Sequence, residues 1–393
     1  MKSISAFYLG FMTYLISIIG MRYIPGMFIN YLMNIGFIAI LLMFLLVSKN
    51  PNKVNIGRGW YMIVCAIILS TCGILVSQGY FTALLVLKVI MIAYVITHFQ
   101  VKESQMVNFL NRTYLLYVLL SIIFFVFFPS VLYELKTGIN NTINVFGFTL
   151  TMLHSLEGSA ASLDTYTCLI LVMNLSLKET VKRRKFYVLL SLTVLFWSFR
   201  LTPILALGIA LMGSYIVRTG KSSVSFVLLA LFVPFLASIV FYNSGQNISG
   251  VPLDFILNGL THNRAMIWNQ QLDILWSNYS IKDYIFGNFS SELFSVQSFQ
   301  IHGGMRKDYF IDNPHNSYLY LFFRSPLLFA MAVIFCFIRF WKRFDLKWWP
   351  VIIVILTGAL TNGQLLTLQN PVPLIVLIFY LCGRTKSDFH YAK

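Results

Sequence analysis

Acidic residues are scarce in this chain: 13 Asp and Glu stand against 29 Lys and Arg in 393 residues, and only 11% of positions are charged. Soluble domains carry about 25% charged residues and about 45–50% apolar ones. Here 58% of residues are hydrophobic and the mean hydropathy is +0.76. That balance excludes an ordinary soluble enzyme and a disordered chain. Cysteine is also rare. Cys65, Cys72, Cys168, Cys336 and Cys382 all fall inside apolar runs, with no C-x-x-C pair and no disulfide framework. The sequence has no D-x-D, G-x-x-x-x-G-K-[ST] or H-E-x-x-H motif, no dense His/Cys cluster and no serine nucleophile elbow. Nucleotide-sugar transfer on a D-x-D-held metal, ATP hydrolysis and zinc chemistry therefore have no motif to rest on, and no metal or cofactor is expected. Neither an internal repeat nor a Gly/Ser linker divides the chain, so 1–393 reads as one domain.

What is present is a succession of long apolar runs. A membrane-spanning helix needs about 20 predominantly apolar residues. Runs near 4–20, 27–47, 60–77, 80–98, 113–131, 164–177, 186–199, 201–217, 223–242, 316–338, 348–364 and 371–383 predict twelve spans in an all-α polytopic membrane protein. Only Lys2 precedes the first run and no small-residue cleavage site follows Gly20, so this run reads as a retained helix, not a signal peptide.

The net charge of +16 reads as topology, not as a nucleic-acid surface, because the basic residues sit in short clusters between apolar runs. Alternate loops hold 20 of the 29, including Lys178, Lys182, Arg183, Arg184 and Lys185, whereas the opposite loops hold seven. Basic residues stay on the cytoplasmic side. Both termini are therefore expected on the cytoplasmic side, a parity that twelve spans satisfy.

Two polar segments then face outward, 132–163 and 243–314. The second is the larger and is rich in Trp, Phe and Tyr. Within it, Ile267, Trp268, Gln271, Ile274 and Leu275 recur at helical spacing, which predicts an amphipathic helix near 263–277 lying on the membrane surface or against the bundle.

Several residues stand where the topology disfavours them. Arg200, in Ser198-Phe199-Arg200-Leu201-Thr202-Pro203, lies outward beside a predicted helix start, where free N–H groups favour an anion. Arg264 opens the amphipathic helix, and a guanidinium pairs bidentately with phosphate. His315 follows Pro314 and is expected on the first turn of the tenth span, with an imidazole suited to general-base work. Arg324 and Lys88 lie within spans, where charge usually faces the bundle interior or water. Arg324, nine residues past His315, would floor a cavity about 13 Å deeper on a continuous helix. Glu157, near Gly158-Ser159-Ala160-Ala161 with His154 and Asp164, would neutralise an arginine or act as an acid–base group.

The ordered set SFRLTPILAL at 198–207, NRAMIWNQQLDIL at 263–275, YIFGNF at 284–289 and DNPHNSYLYLF at 312–322 resembles the O-antigen polymerase and O-antigen ligase superfamily of bacterial envelope glycosyltransferases. The shared pattern is an outward Arg, an Arg-x-x-x-Trp element, a hydrophobic-Gly turn and a His-Asn-x-x-Leu box.

The resemblance implies a GT-C-like helical bundle and metal-independent glycosyl transfer from an undecaprenyl-pyrophosphate-linked oligosaccharide. It implies that Arg200, Arg264 and His315 are catalytic, and that Asn316, Tyr318 and Trp268 position sugars beside Glu157 and Arg324. A flippase and a chain-length regulator of the same pathway would be partners, besides membrane lipid. Polymerisation of repeat units is the expected reaction. Ligation of glycan to lipid A-core is the enzymatic alternative, and a polysaccharide or lipid-linked sugar exporter the alternative without chemistry.

Overall fold

The computed structural model describes residues 103–127, 142–145, 148–151, 153, 160–177, 183–198, 207–212, 215, 247–248, 251–252, 264–288, 296–302, 305–311, 316–342, 345, 347–361 and 372–382. Nine helices of six or more residues carry labels: α1 Glu103–Phe127, α2 Ala160–Ser176, α3 Arg184–Ser198, α4 Arg264–Asn278, α5 Ile281–Phe286, α6 Ser317–Arg324, α7 Pro326–Lys342, α8 Trp349–Thr361 and α9 Val372–Cys382. The predicted spans at 4–20, 27–47, 60–77, 80–98 and 223–242, together with Lys88, lie outside the described residues.

Among the described residues one stretch, Met106–Phe127 of α1, is long and apolar enough to cross a membrane; Leu163–Ser176, Pro326–Phe335 and Trp349–Ala359 are shorter apolar helices. α1 begins ten residues before the apolar run at 113. Arg112, expected in a loop, is therefore an exposed helical residue.

The helical part agrees with an all-α fold, and among the described residues strands appear only as isolated hairpins in the two polar segments. Three two-stranded antiparallel pairs form: β1 Thr142–Val145 with β2 Phe148–Thr151, β3 Asn247–Ile248 with β4 Val251–Pro252, and β5 Val296–His302 with β6 Met305–Ile311. Their registers close at Val145↔Phe148, Ile248↔Val251 and His302↔Met305. Two residues therefore separate each pair: Phe146-Gly147, Ser249-Gly250 and Gly303-Gly304.

The helices bury polar groups and expose apolar ones. On α3, Phe186, Leu189, Leu192 and Phe196 are exposed, Leu189 at 67% and Phe196 at 68%, while Ser191 and Ser198 are fully buried. Leu119, Ile123, Val126 and Phe127 of α1, and Leu327, Ile334, Phe337 and Ile338 of α7, are exposed as well. Between α1 and α2 the contact is polar. The Asn111 and Asn174 amides exchange hydrogen bonds of 3.1 and 2.9 Å, Thr113 and Tyr166 hydroxyls meet at 2.7 Å, and the Tyr114 hydroxyl donates to Thr167 Oγ1 at 3.0 Å. Buried amides and hydroxyls need such partners. Arg183, at φ 58°, lies in the turn before α3, and Arg184 Nε donates to the Asn174 carbonyl at 2.7 Å.

Contacts between distant segments join like ends. Trp348 Nε1, before α8, donates to Glu103 Oε2 at the start of α1, 3.0 Å away. At the other end of α8, Gly358 approaches Thr165 near the start of α2; a Cβ built there would meet Thr165 Cγ2 at 3.6 Å. Asp164, grouped by sequence with the first outward segment, is a fully buried residue of α2.

Candidate functional site

The tenth predicted span, 316–338, is not one helix. α6 stops at Arg324 and α7 starts at Pro326, with Ser325 between them. Proline lacks an N–H and its ring opposes the preceding turn, but it fits the first position of a new helix. Ser325 N still donates to the Leu321 carbonyl at 2.9 Å, and the Ser325 carbonyl accepts the first bond of α7 from Phe329 N at 2.9 Å.

α6 begins two residues later than expected. Asn316 is its N-cap: Asn316 Oδ1 accepts from Tyr318 N at 2.9 Å and Leu319 N at 3.1 Å. His315 thus precedes the cap instead of lying in the first turn, and is itself outside the described residues. Asn316 is buried, and Tyr318, also buried, donates its hydroxyl to the Leu356 carbonyl of α8 at 3.2 Å. These two candidate sugar contacts are placed as a cap and an interhelical strut. Replacing Asn316 with Ala is expected to cost about 1 kcal/mol. Thermal denaturation of the detergent-solubilised protein checks this, with Ser317→Ala next to it as the reference change.

The helix expected near 263–277 is observed as α4, Arg264–Asn278. Its Ile267, Gln271, Leu272 and Leu275 are buried, while Asp273, Trp276 and Ser277 are exposed. Leu272 and Leu275 join the core that holds Leu319 and Phe323 of α6 and Phe329 of α7, with Trp268 packed against it half-buried. α4 therefore docks on the box helix. Arg264 stands at the first position of α4; the placement of its side chain, and all of Arg200 and Glu157, fall outside the described residues.

After α4 the chain turns through a capping box. Asp283 Oδ2 accepts from Ser280 N at 3.0 Å and from Ser280 Oγ at 2.6 Å, and Asp283 N donates to Ser280 Oγ at 3.3 Å. α5 then ends at Gly287, at φ 85°.

This segment meets the far end of α6. Asn288 N donates to the Arg324 carbonyl at 2.8 Å, and the Tyr279 hydroxyl donates to the Phe323 carbonyl. Tyr279 and Tyr284 pack edge to face at 5.4 Å. Burial pushes the Tyr279 phenol pKa up, an effect opposed by the nearby Arg324 charge.

Arg324 itself is 3% exposed, with its guanidinium carbon 5.5 Å from the Tyr320 ring centroid, within cation–π range. The backbone carbonyls of Phe323 and Arg324 are met by the Tyr279 hydroxyl and Asn288 N, which sets this end of α6 against the 279–288 segment; the cavity expected between Arg324 and His315 involves His315, outside the described residues. Beside Arg324 the Ser325 hydroxyl is buried with no hydrogen-bond partner among the described residues. Ser325→Ala removes a hydroxyl that holds nothing described, so it is expected to leave the melting temperature unchanged or slightly raised.

Asn316, Tyr318 and Arg324 thus lie along one short helix, α6, with Trp268 on α4, which packs against it. The structure adds Tyr279, Gly287 and Asn288, which sequence reasoning did not single out, although Gly287 stands in the quoted YIFGNF motif. No family model, curated protein or solved structure matches the chain.

Proposed function

We propose that the chain is a bacterial inner-membrane polymerase that extends a surface polysaccharide from undecaprenyl-pyrophosphate-linked repeat units by transfer on the outer face. The observation that carries this reading is the docking of the Arg-x-x-x-Trp helix α4 onto the His-Asn box helix α6. Two motifs some 50 residues apart in sequence lie against each other, and Leu272, Leu275, Leu319 and Phe323 belong to one buried core.

A second set of observations supports a membrane setting, which we read as twelve spans with cytoplasmic termini. Large apolar side chains are exposed on α1, α3 and α7 while serines are buried, as expected where lipid is the solvent. The contact of Glu103 with Trp348 agrees with the charge-derived sides, since both residues stand beside basic loops.

In this reading Arg200 and Arg264 hold the pyrophosphate and stabilise the charge that develops as it leaves. His315, one residue before the α6 cap, takes the proton of the acceptor hydroxyl. The acceptor oxygen forms the new bond to the sugar anomeric carbon, the bond from that carbon to the phosphate oxygen breaks, and undecaprenyl pyrophosphate departs with the electron pair. Arg324 and Trp268 flank the glycan path, and Glu157 balances an arginine.

The test is a gel of surface and lipid-linked glycan from a strain lacking this gene. The polymerase reading expects the ladder to collapse to core bearing one repeat unit. Long polymer stranded on the polyprenyl carrier would instead indicate the ligase. Repeat units trapped in the cytoplasmic leaflet would indicate an exporter.

A further inference from the structure

We infer that Tyr279, Gly287 and Asn288 are positioning residues for the box helix α6, holding its C-terminal end so that the His315-Asn316 end keeps a fixed place. The inference rests on the polymerase reading for its meaning and on local geometry for its substance.

α6 has eight residues, Ser317–Arg324. Helices this short are not stable alone, so their ends must be held by other parts of the fold. The N-terminal end is held by Asn316. At the C-terminal end the carbonyls lack intrahelical donors, and Pro326 has no N–H to offer. Two of those carbonyls are met from the outward segment: Phe323 O by the Tyr279 hydroxyl, 44 residues away in sequence, and Arg324 O by Asn288 N.

Gly287 permits that approach. A Cβ at this position would lie 2.7 Å from the Arg324 carbonyl oxygen and 3.0 Å from Ser325 Oγ, and φ of +85° disfavours any L side chain. The obstructing atom is backbone, so it cannot swing aside. The outward segment and α6 therefore move as one body, and a shift of the 279–288 turn is a shift of the helix that follows His315. Misplacement of a reacting group by about 1 Å costs about 10²-fold in rate.

The experiment compares wild type, Gly287→Ala and Tyr279→Phe in membranes of the deletion strain at matched protein level. The first readout is polymer formed from undecaprenyl-pyrophosphate-linked repeat units as their concentration is varied. The second is the rate of trypsin cleavage at the exposed Lys282.

The inference expects Gly287→Ala to lower the saturating rate by about 10²-fold with the half-saturating concentration unchanged, and to speed cleavage. Tyr279→Phe is expected to shift both readouts in the same direction by less. Wild-type turnover and cleavage in Gly287→Ala would overturn it. Should Gly287→Ala fail to accumulate, Tyr279→Phe decides, and wild-type behaviour of that variant overturns the inference. A wild-type protein that makes no polymer sinks the polymerase reading alone. Cleavage then decides the latch: faster in either variant supports it, equal rates in all three overturn it.

Discussion

His315→Ala is expected to abolish the long-polymer ladder while the protein accumulates in the membrane at the wild-type level. The expected loss is about 10²–10⁴-fold in turnover, the range that a positioned general base contributes. The α6 cap is Asn316, whose Oδ1 accepts from Tyr318 N and Leu319 N, so the described hydrogen bonds of this helix start rest on Asn316. Asn316→Ala should show the reverse pattern, with lower stability and a smaller loss of turnover. The two neighbours thus separate chemistry from folding. Arg264→Ala is expected to resemble His315→Ala, because in this reading the Arg264 guanidinium stabilises the charge of the departing pyrophosphate. Complemented deletion strains, scored by glycan gel and by membrane immunoblot, provide the measurement. A full ladder in His315→Ala at equal protein level sinks the assignment.

The second large effect is structural. Trp348 has no exposed surface, donates to Glu103 Oε2, and packs against Phe379 and Tyr380 of α9 at ring-centroid distances of 5.6 and 6.0 Å. One side chain therefore ties α1, α8 and α9 together. Trp348→Ala leaves a large cavity and is expected to cost about 3–5 kcal/mol, seen as a sharply lower melting temperature in detergent and little protein in the membrane. Trp348→Phe keeps much of the packing but strands the Glu103 carboxylate, for a cost of about 1–3 kcal/mol. Equal losses in the two variants would mean that the hydrogen bond, not the packing, dominates at this junction.

The apolar helices were legible because a long hydrophobic run carries its own signal. The runs near 348–364 and 371–383 became Trp349–Thr361 and Val372–Cys382. α4 was legible for the same reason, through the 3.6-residue spacing of Ile267, Gln271, Ile274 and Leu275.

The break between α6 and α7 was also written in the sequence, as Ser325-Pro326, but the continuous hydropathy of 316–338 masked it. Proline's effect is geometric and leaves mean hydropathy almost untouched. The hairpins left a signal too, a glycine at the second position of each two-residue loop. A search for helical runs passes over that signal, since it depends on backbone conformation and not on polarity.

The latch at Gly287 was not legible. A glycine can be read as a turn, but what it approaches is decided by tertiary packing. Its contact with the Arg324 carbonyl joins segments that no local pattern relates. Of the candidate site, Asn316, Tyr318 and Arg324 lie along α6 and Trp268 on the neighbouring α4, yet Asn316 and Tyr318 are held in hydrogen bonds that secure α6 and α8. Sequence motifs identify residues that matter without distinguishing those that react from those that hold the reacting ones.

The central claim is glycosyl transfer from a lipid pyrophosphate, and reconstitution tests it most directly. The purified chain in liposomes receives undecaprenyl-pyrophosphate-linked repeat units, with no nucleotide sugar and a metal chelator present. The account predicts a ladder of lipid-linked oligomers, release of undecaprenyl pyrophosphate in step with each bond formed, and loss of both in His315→Ala. Unchanged single repeat units, from protein whose melting shows it to be folded, would contradict it.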